Sequence, residues 1–345
     1  MRTFVSVIVI TKNNVETLEN CIVSLLNQTY PKESYEIIFV DGHSTDGTDK
    51  MIKRYAKNHS LLKLYYENYG TMGYARNLGV SKSKGSIIAF TDGDAVVPKD
   101  WIERITNVFN NDVRLAAIGG LEILVSSGES GRIIESWRRL KRVTGIKAVA
   151  CIRTVNFAIR RHALLSCGGF DPRLSHRDEA ELLARLYSKA KTTNILYDPE
   201  IVVHHKRPPS RKIGARIRKV FEKSLVGTSV LMRRYVMKVA VANPSSSLGT
   251  SFLLILACIA GGPLFLFSIA AGWLTNISVI ALLLYLVILL IYMTAVFLRT
   301  RKVNLVIPLI LTSHLVVRIA GTFFGLIKWF LDFVTQKFGR VEAVT

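Results

Sequence analysis

Two aspartates one residue apart, Asp92 and Asp94 with Gly93 between them, are the residues whose types and spacing most directly permit chemistry. A pair of carboxylates on a short turn makes a hard, anionic oxygen site for Mg2+ or Mn2+, and such an ion would bridge the phosphates of a nucleotide. Taken alone, D-G-D is more often a solvated Asp-Gly turn. A second acidic pair, Asp178-Glu179, opens HRDEAELLARLYSKA, in which Leu182, Leu183 and Leu186 recur at helical spacing. Acids in a first helical turn are also favoured by the helix dipole alone. The adjacent His204 and His205 close an apolar strand-like run, so only one of them can face a given site.

The elements that would position these residues alternate along the first half of the chain. Ile87 to Phe90 reads as a buried strand running into Asp92, and ligands of open α/β sheets bind beyond such carboxyl ends. Upstream, Val5 to Ile10 is a β-branched strand ending at Thr11-Lys12-Asn13-Asn14. A helix follows with Leu18, Cys21, Ile22, Leu25 and Leu26 on one face. Glu36 to Val40 forms a second strand ending in Asp41, and Ser44 or Thr45 is placed to cap a helix from about 46 to 57. Leu61 to Tyr66 and Gly73 to Lys82 supply a third strand and helix. This alternation predicts βαβ units and a parallel sheet.

Charge and hydropathy divide the 345 residues. The formal net charge is +21, and residues 239 to 298 contain no Asp, Glu, Lys, Arg or His. A bilayer crossing needs about 20 apolar residues, so that window predicts two spans, at about 252–274 and 277–298. A weaker third, 303–331, either spans or lies along the interface, and carries His314 and Arg318 one turn apart, placed to bind a polyprenyl phosphate. Between 210 and 247, apolar residues at helical spacing alternate with Lys and Arg, the pattern of an interfacial helix on anionic phospholipid, followed by a linker. Residues 332–345 form a tail. Basic residues concentrated before the spans place residues 1–209 on the cytoplasmic face of the cell membrane in a multi-pass protein. The scattered Cys21, Cys151, Cys167 and Cys258 offer neither a disulfide framework nor a zinc site. Nucleic acid is not expected as a partner, because no basic module with interleaved aromatics occurs.

VSVIVITKNN, VDGHSTDGT, GYARNLGVSKSKG, FTDGDAVVPKDW and TVNFAIRRHALLSCGGFDPRL follow one another in an order and spacing that resemble the inverting family 2 glycosyltransferases. The resemblance covers about residues 1 to 205. It implies a GT-A (Rossmann-like) α/β domain with a mixed, mainly parallel sheet. It also implies a UDP- or GDP-linked sugar as donor, held by Thr11, Asn13, Asp41, Asn77 and Asp92. The metal would be held by Asp94 with Asp92 and His205. By the same resemblance the general base falls on Glu179, with Asp178 as the alternative, the family's Glu-Asp order being inverted here. Lys12 departs from the aromatic that many relatives carry. Arg160 and Arg161 are placed to contact an anionic acceptor.

The expected activity is transfer of one sugar, with inversion, to a membrane-bound acceptor such as a polyprenyl phosphate or lipid-linked oligosaccharide. A Q-x-x-R-W segment, which processive synthases of the family carry, is absent, and this favours single addition. A degenerate nucleotide-sugar-binding membrane scaffold is the alternative, favoured by Lys12 and the inverted acidic pair.

Overall fold

The structure is a computed structural model that describes residues 2–125, 142–149, 151–189 and 194–206. The chain divides into two units between Pro209 and Ser210, and every described residue belongs to the first. The expected interfacial helix, the three expected spans and the tail lie outside the described residues. Among the described residues no helix is long and apolar enough to cross a membrane.

The N-terminal half alternates strand and helix as the hydrophobic pattern requires. The elements are β1 (Val5–Thr11), α1 (Val15–Leu26), β2 (Tyr35–Asp41), α2 (Thr48–Asn58), β3 (Leu62–Tyr66), α3 (Met72–Lys82) and β4 (Ile87–Asp92). Then follow β5 (Ala95–Val96), α4 (Trp101–Asn111), β6 (Leu115–Val125), β7 (Val143–Thr144) and α5 (Ile146–Val149). The last are β8 (Phe157–Arg160), α6 (Arg161–Ser166), α7 (Asp178–Lys189) and β9 (Asn194–Lys206). They build one sheet in the order β3-β2-β1-β4-β8-β6-β9-β5, with β7 added to β9.

The sheet is mixed. Its first four strands are parallel, while β8 runs antiparallel to both β4 and β6. Next, β9 runs parallel to β6, and the short β5 pairs antiparallel with the end of β9. The parallel half puts Thr11, Asp41 and Asp92 at one edge, with Thr11 opposite Asp41 and Ile10 opposite Asp92.

Period-two alternation in β1 sends Val5, Val7 and Val9 to one face, where they join Leu18, Cys21, Ile22 and Leu25 of α1. Trp101, Ile102, Ile105 and Phe109 of α4 complete this core. Each such side chain contributes about 1.5–3 kcal/mol when withdrawn from water. On the other face, α3 lies close against β1 and β2 because Gly79 has no side chain. A Cβ there would stand 2.5 Å from Ile8 Cγ2.

The expected cap of α2 is not made. The helix starts at Thr48 after Gly47, whose φ is +96°, and the Ser44 hydroxyl is bonded to Asp41 instead.

Candidate active site

The turn that follows β4 is built around Gly93. Its backbone N–H reaches Ile10 O, and a Cβ at this position would lie 2.8 Å from Thr11 Oγ1 and 3.1 Å from Thr11 Cβ. Only glycine lets the two aspartates flank the end of β1 this closely. The turn leads straight into β5, whose pairing with β9 sets Ala95 opposite His205. Lys206 N donates to Asp94 O at 2.8 Å, tying the end of β9 to the turn.

His205 is the inward member of the histidine pair and is buried, whereas His204 is exposed. Its Nε2 lies 3.0 Å from Asp94 Oδ1 and its Nδ1 lies 2.7 Å from Glu122 Oε1. Donor atoms of Asp92, Asp94 and His205 all fall within 4.8 Å of one another. Two carboxylates and an imidazole fit a divalent cation, and the nitrogen donor suits Mn2+ better than Mg2+. Burial alone would lower the His205 imidazole, but hydrogen bonds to Asp94 and Glu122 outweigh it and raise the group to about 9. Burial pushes the Asp92 carboxyl up to about 6, opposed by Arg76 and reinforced by Asp94.

Arg76, buried in α3, joins this cluster to the second acidic pair. Its Nη1 pairs with Asp178 Oδ2, while its Nη2 accompanies Thr154 Oγ1 at 2.9 Å and Asp92 Oδ1 at 3.9 Å. The ring of Phe170 lies 5.7 Å below the guanidinium. Asp178 and Glu179 occupy the first turn of α7 and both are buried. Glu179 Oε1 meets Arg153 Nη1 at 3.3 Å, and the Arg153 side chain is partly exposed. Burial raises the Asp178 carboxyl, Arg76 opposes that rise, and neighbouring Glu179 adds to it.

On the other side of the D-G-D turn, the loops after β1 and β2 are laced together. Asn13 adopts a left-handed φ of +54°. Its N–H donates to Ser44 Oγ and its Oδ1 accepts from Thr45 N. Thr11 Oγ1 donates to Asn14 Oδ1. Asp41 is fully buried, and both of its oxygens accept from Ser44, one from the backbone N–H and one from the hydroxyl. This is the Asx-turn geometry that closes DGHS. Beside it, Glu67 Oε2 accepts from the backbone N–H groups of Tyr69 and Gly70.

Three expected site residues stand elsewhere. Asn77 clamps the backbone of Phe170, donating to its carbonyl at 2.8 Å and accepting from its N–H at 2.9 Å. It is thus engaged in packing α3 against the segment before α7. Arg160 pairs across the sheet with Ile87, at the opposite end of β4 from Asp92. Its guanidinium donates to the carbonyls of Phe109, Asp112 and Leu115, and Arg161 donates to Val80 O and Ser83. Both arginines satisfy backbone carbonyls away from the Asp92–Asp94–His205 cluster. His314 and Arg318 lie outside the described residues. Arg76 and Glu122 were not singled out by the sequence pattern. Arg76 sits in the ARN segment, but Glu122 lies in an apolar strand where only the oddity of a lone acid marks it.

The profile of the family described as "Glycosyl transferase family 2" matches residues 6–168. Glycosyltransferase AglE of Haloferax volcanii is 28% identical over 221 residues, covering 63% of this chain and 71% of that protein. The "Dolichyl N-acetyl-alpha-D-glucosaminyl phosphate 3-beta-D-2,3-diacetamido-2,3-dideoxy-beta-D-glucuronosyltransferase" of Methanococcus voltae is 32% identical over 136 residues. That alignment spans 38% of this chain and 42% of the relative, less than half its length. Among solved structures, the mannosyltransferase PcManGT from Pyrobaculum calidifontis, in complex with GDP-Man and Mn2+, superposes with a TM-score of 0.57 at 19% identity. It covers 94% of this chain and 88% of that one. At that identity the likeness speaks for the fold, a mixed α/β sheet of the GT-A-like kind. Profile and relatives agree on the class: residues 6–168 are similar to the family 2 domain, and the chain is a glycosyltransferase.

Proposed function

We propose that this enzyme is an inverting, metal-dependent transferase that moves one sugar from a nucleoside diphosphate donor to a lipid-linked acceptor at the cytoplasmic membrane face. The observation that carries the reading is the clustering of Asp92, Asp94 and His205 at the carboxyl edge of the sheet. Arg76 links that cluster directly to the acidic start of α7.

In this reading Asp92, Asp94 and His205 hold a divalent cation, which when bound neutralises the charge that grows on the departing diphosphate. The loops at Thr11–Asn13 and Asp41–Ser44 form the wall for the nucleoside. Asp41 acts there by fixing the loop through Ser44, while the exposed Lys12 is free to meet base or phosphate. Glu179 takes the proton of the acceptor hydroxyl as it attacks the anomeric carbon, with Asp178 as the alternative base. Asp178, tied to the buried Arg76, is the less available of the two. The M. voltae relative is named for a dolichyl-phosphate-linked substrate, and the P. calidifontis neighbour was solved with GDP-Man and Mn2+. The first supports a lipid-linked acceptor here and the second a divalent cation.

The domain plan that goes with this function is a catalytic unit at 1–209, a basic interfacial segment at 210–247, a membrane region at 248–331 and a tail at 332–345. The uncharged window from 239 to 298 supports the membrane region. The scaffold reading draws its support from the engagement of both Asp41 oxygens by Ser44.

The test is nucleotide release from UDP- and GDP-sugars by the full chain in detergent. It is run with Mn2+, Mg2+ or EDTA, with and without a membrane lipid extract, alongside Asp94→Ala. Lipid-stimulated, EDTA-sensitive release from one donor, lost in Asp94→Ala, is the expected result. Donor binding without turnover under every condition would select the scaffold.

A further inference from the structure

β6 places one acid, Glu122, among apolar residues and buries it to 5% exposure. An ionised carboxylate out of water is costly unless it is hydrogen-bonded to a partner. Its position is set by an irregularity in the ladder between β6 and β9. Up to Gly120 the register is Gly120 opposite Asp198, and after it Leu121 is opposite Val202. Continued without the shift, Glu122 would face the residue at 200. With the shift it faces Val203, whose side chain shares a sheet face with that of His205. The irregularity, whose extra residues lie in β9, therefore brings His205 onto Glu122's side of the sheet.

There its Oε1 lies 2.7 Å from His205 Nδ1, while the other ring nitrogen points to Asp94. A carboxylate only accepts, so Nδ1 donates its proton to Glu122, and Nε2, which faces Asp94 in the same way, is the nitrogen that would exchange its proton for a cation at the Asp92–Asp94 turn. We infer that Glu122 is a positioning residue for a divalent cation, holding His205 in the tautomer and ring orientation that present Nε2 as a ligand. The inference rests on the metal reading given above. A carboxylate behind a ligating imidazole fixes the ring and raises its basicity, and its loss typically weakens metal binding about 10- to 100-fold.

The experiment is a Mn2+ titration of the full chain in detergent, followed by the electron paramagnetic resonance of free Mn2+, alone and with GDP or UDP. The variants are His205→Ala, Glu122→Ala, Glu122→Gln and the double alanine. His205→Ala is expected to weaken Mn2+ strongly, and Glu122→Ala by about 10- to 100-fold. Glu122→Gln, whose amide oxygen still accepts from Nδ1, should lose less than Glu122→Ala. The double variant should bind no more weakly than His205→Ala alone, because Glu122 acts only through the ring. Additive losses would make Glu122 a merely structural acid and overturn the inference. So would wild-type affinity in Glu122→Ala beside weakened His205→Ala. Should Glu122→Ala fail to fold, Glu122→Gln decides: a measurable loss supports the inference and wild-type affinity overturns it. Unchanged binding in His205→Ala would sink the metal reading itself, and this inference with it.

Discussion

Arg76 and Asp178, 102 positions apart in the sequence, form an ion pair in which each side chain retains no more than 3% exposure. Removing one partner leaves a buried charge uncompensated, which costs about 3–5 kcal/mol, whereas removing both is far milder. Arg76→Met should therefore lower the thermal midpoint markedly, and Arg76→Met/Asp178→Asn should recover part of the loss. A double variant no more stable than Arg76→Met would show that the pair is not the source of the effect.

The two acids of α7 should separate in kinetics. Glu179→Gln keeps the fold and donor binding and slows turnover by about 10²- to 10⁴-fold, the usual contribution of a general base. Asp178→Asn loses stability first, since it leaves Arg76 without its charged partner. The reverse pattern, with turnover lost in a well-folded Asp178→Asn and kept in Glu179→Gln, would transfer the base to Asp178.

Asn77→Ala should leave the Michaelis constant for the donor unchanged while costing stability. Its amide supplies two hydrogen bonds to Phe170, and stranding such groups costs about 1–3 kcal/mol each when buried. A raised donor constant with an unchanged midpoint would return Asn77 to the donor site.

Glu36 gives a pH dependence with a definite sign. Burial pushes its carboxyl up, but hydrogen bonds from Lys63, Ser6 and the Lys84 N–H prevail, so it titrates below an ordinary glutamate. A depressed acid stabilises the fold fully above its unfolded value, near 4.3, and that contribution fades as pH falls through the folded one. The midpoint difference between wild type and Glu36→Gln should be largest near neutrality and shrink on acidification below about 4. A difference independent of pH would exclude this carboxylate as its source.

Much of the fold was legible because its strands carry the signal that sequence reading handles best. Val5–Ile10 and Ile87–Phe90 are β-branched or apolar runs ending in polar turns, and they form the parallel half of the sheet. The antiparallel half was harder to see. Phe157–Arg160 is a four-residue strand and Ala95–Val96 a two-residue one, both too short for a periodic pattern. At the site, the D-G-D turn and His205 could be picked out, one from its spacing and the other from strand alternation and family resemblance. Glu122 could not, because its meeting with His205 depends on a ladder irregularity that leaves no mark in residue types. The surroundings of Arg160 and Arg161 were not legible, because a basic pair looks the same whether it awaits an anion or closes off backbone carbonyls.

The pairing of β5 with the end of β9 also fixes when the Asp92–Asp94–His205 cluster can come together. Asp94 lies near the middle of residues 1–209 and His205 close to their end, yet each is needed for the three-residue cluster. Contacts so distant along a chain form late, after the local units have collapsed. During synthesis the N-terminal βαβ units can assemble before His205 has been made. The three-residue cluster is complete only when β9 has been made and laid into place. A chain stalled before β9 thereby lacks the assembled cluster, an ordering in time enforced by topology alone.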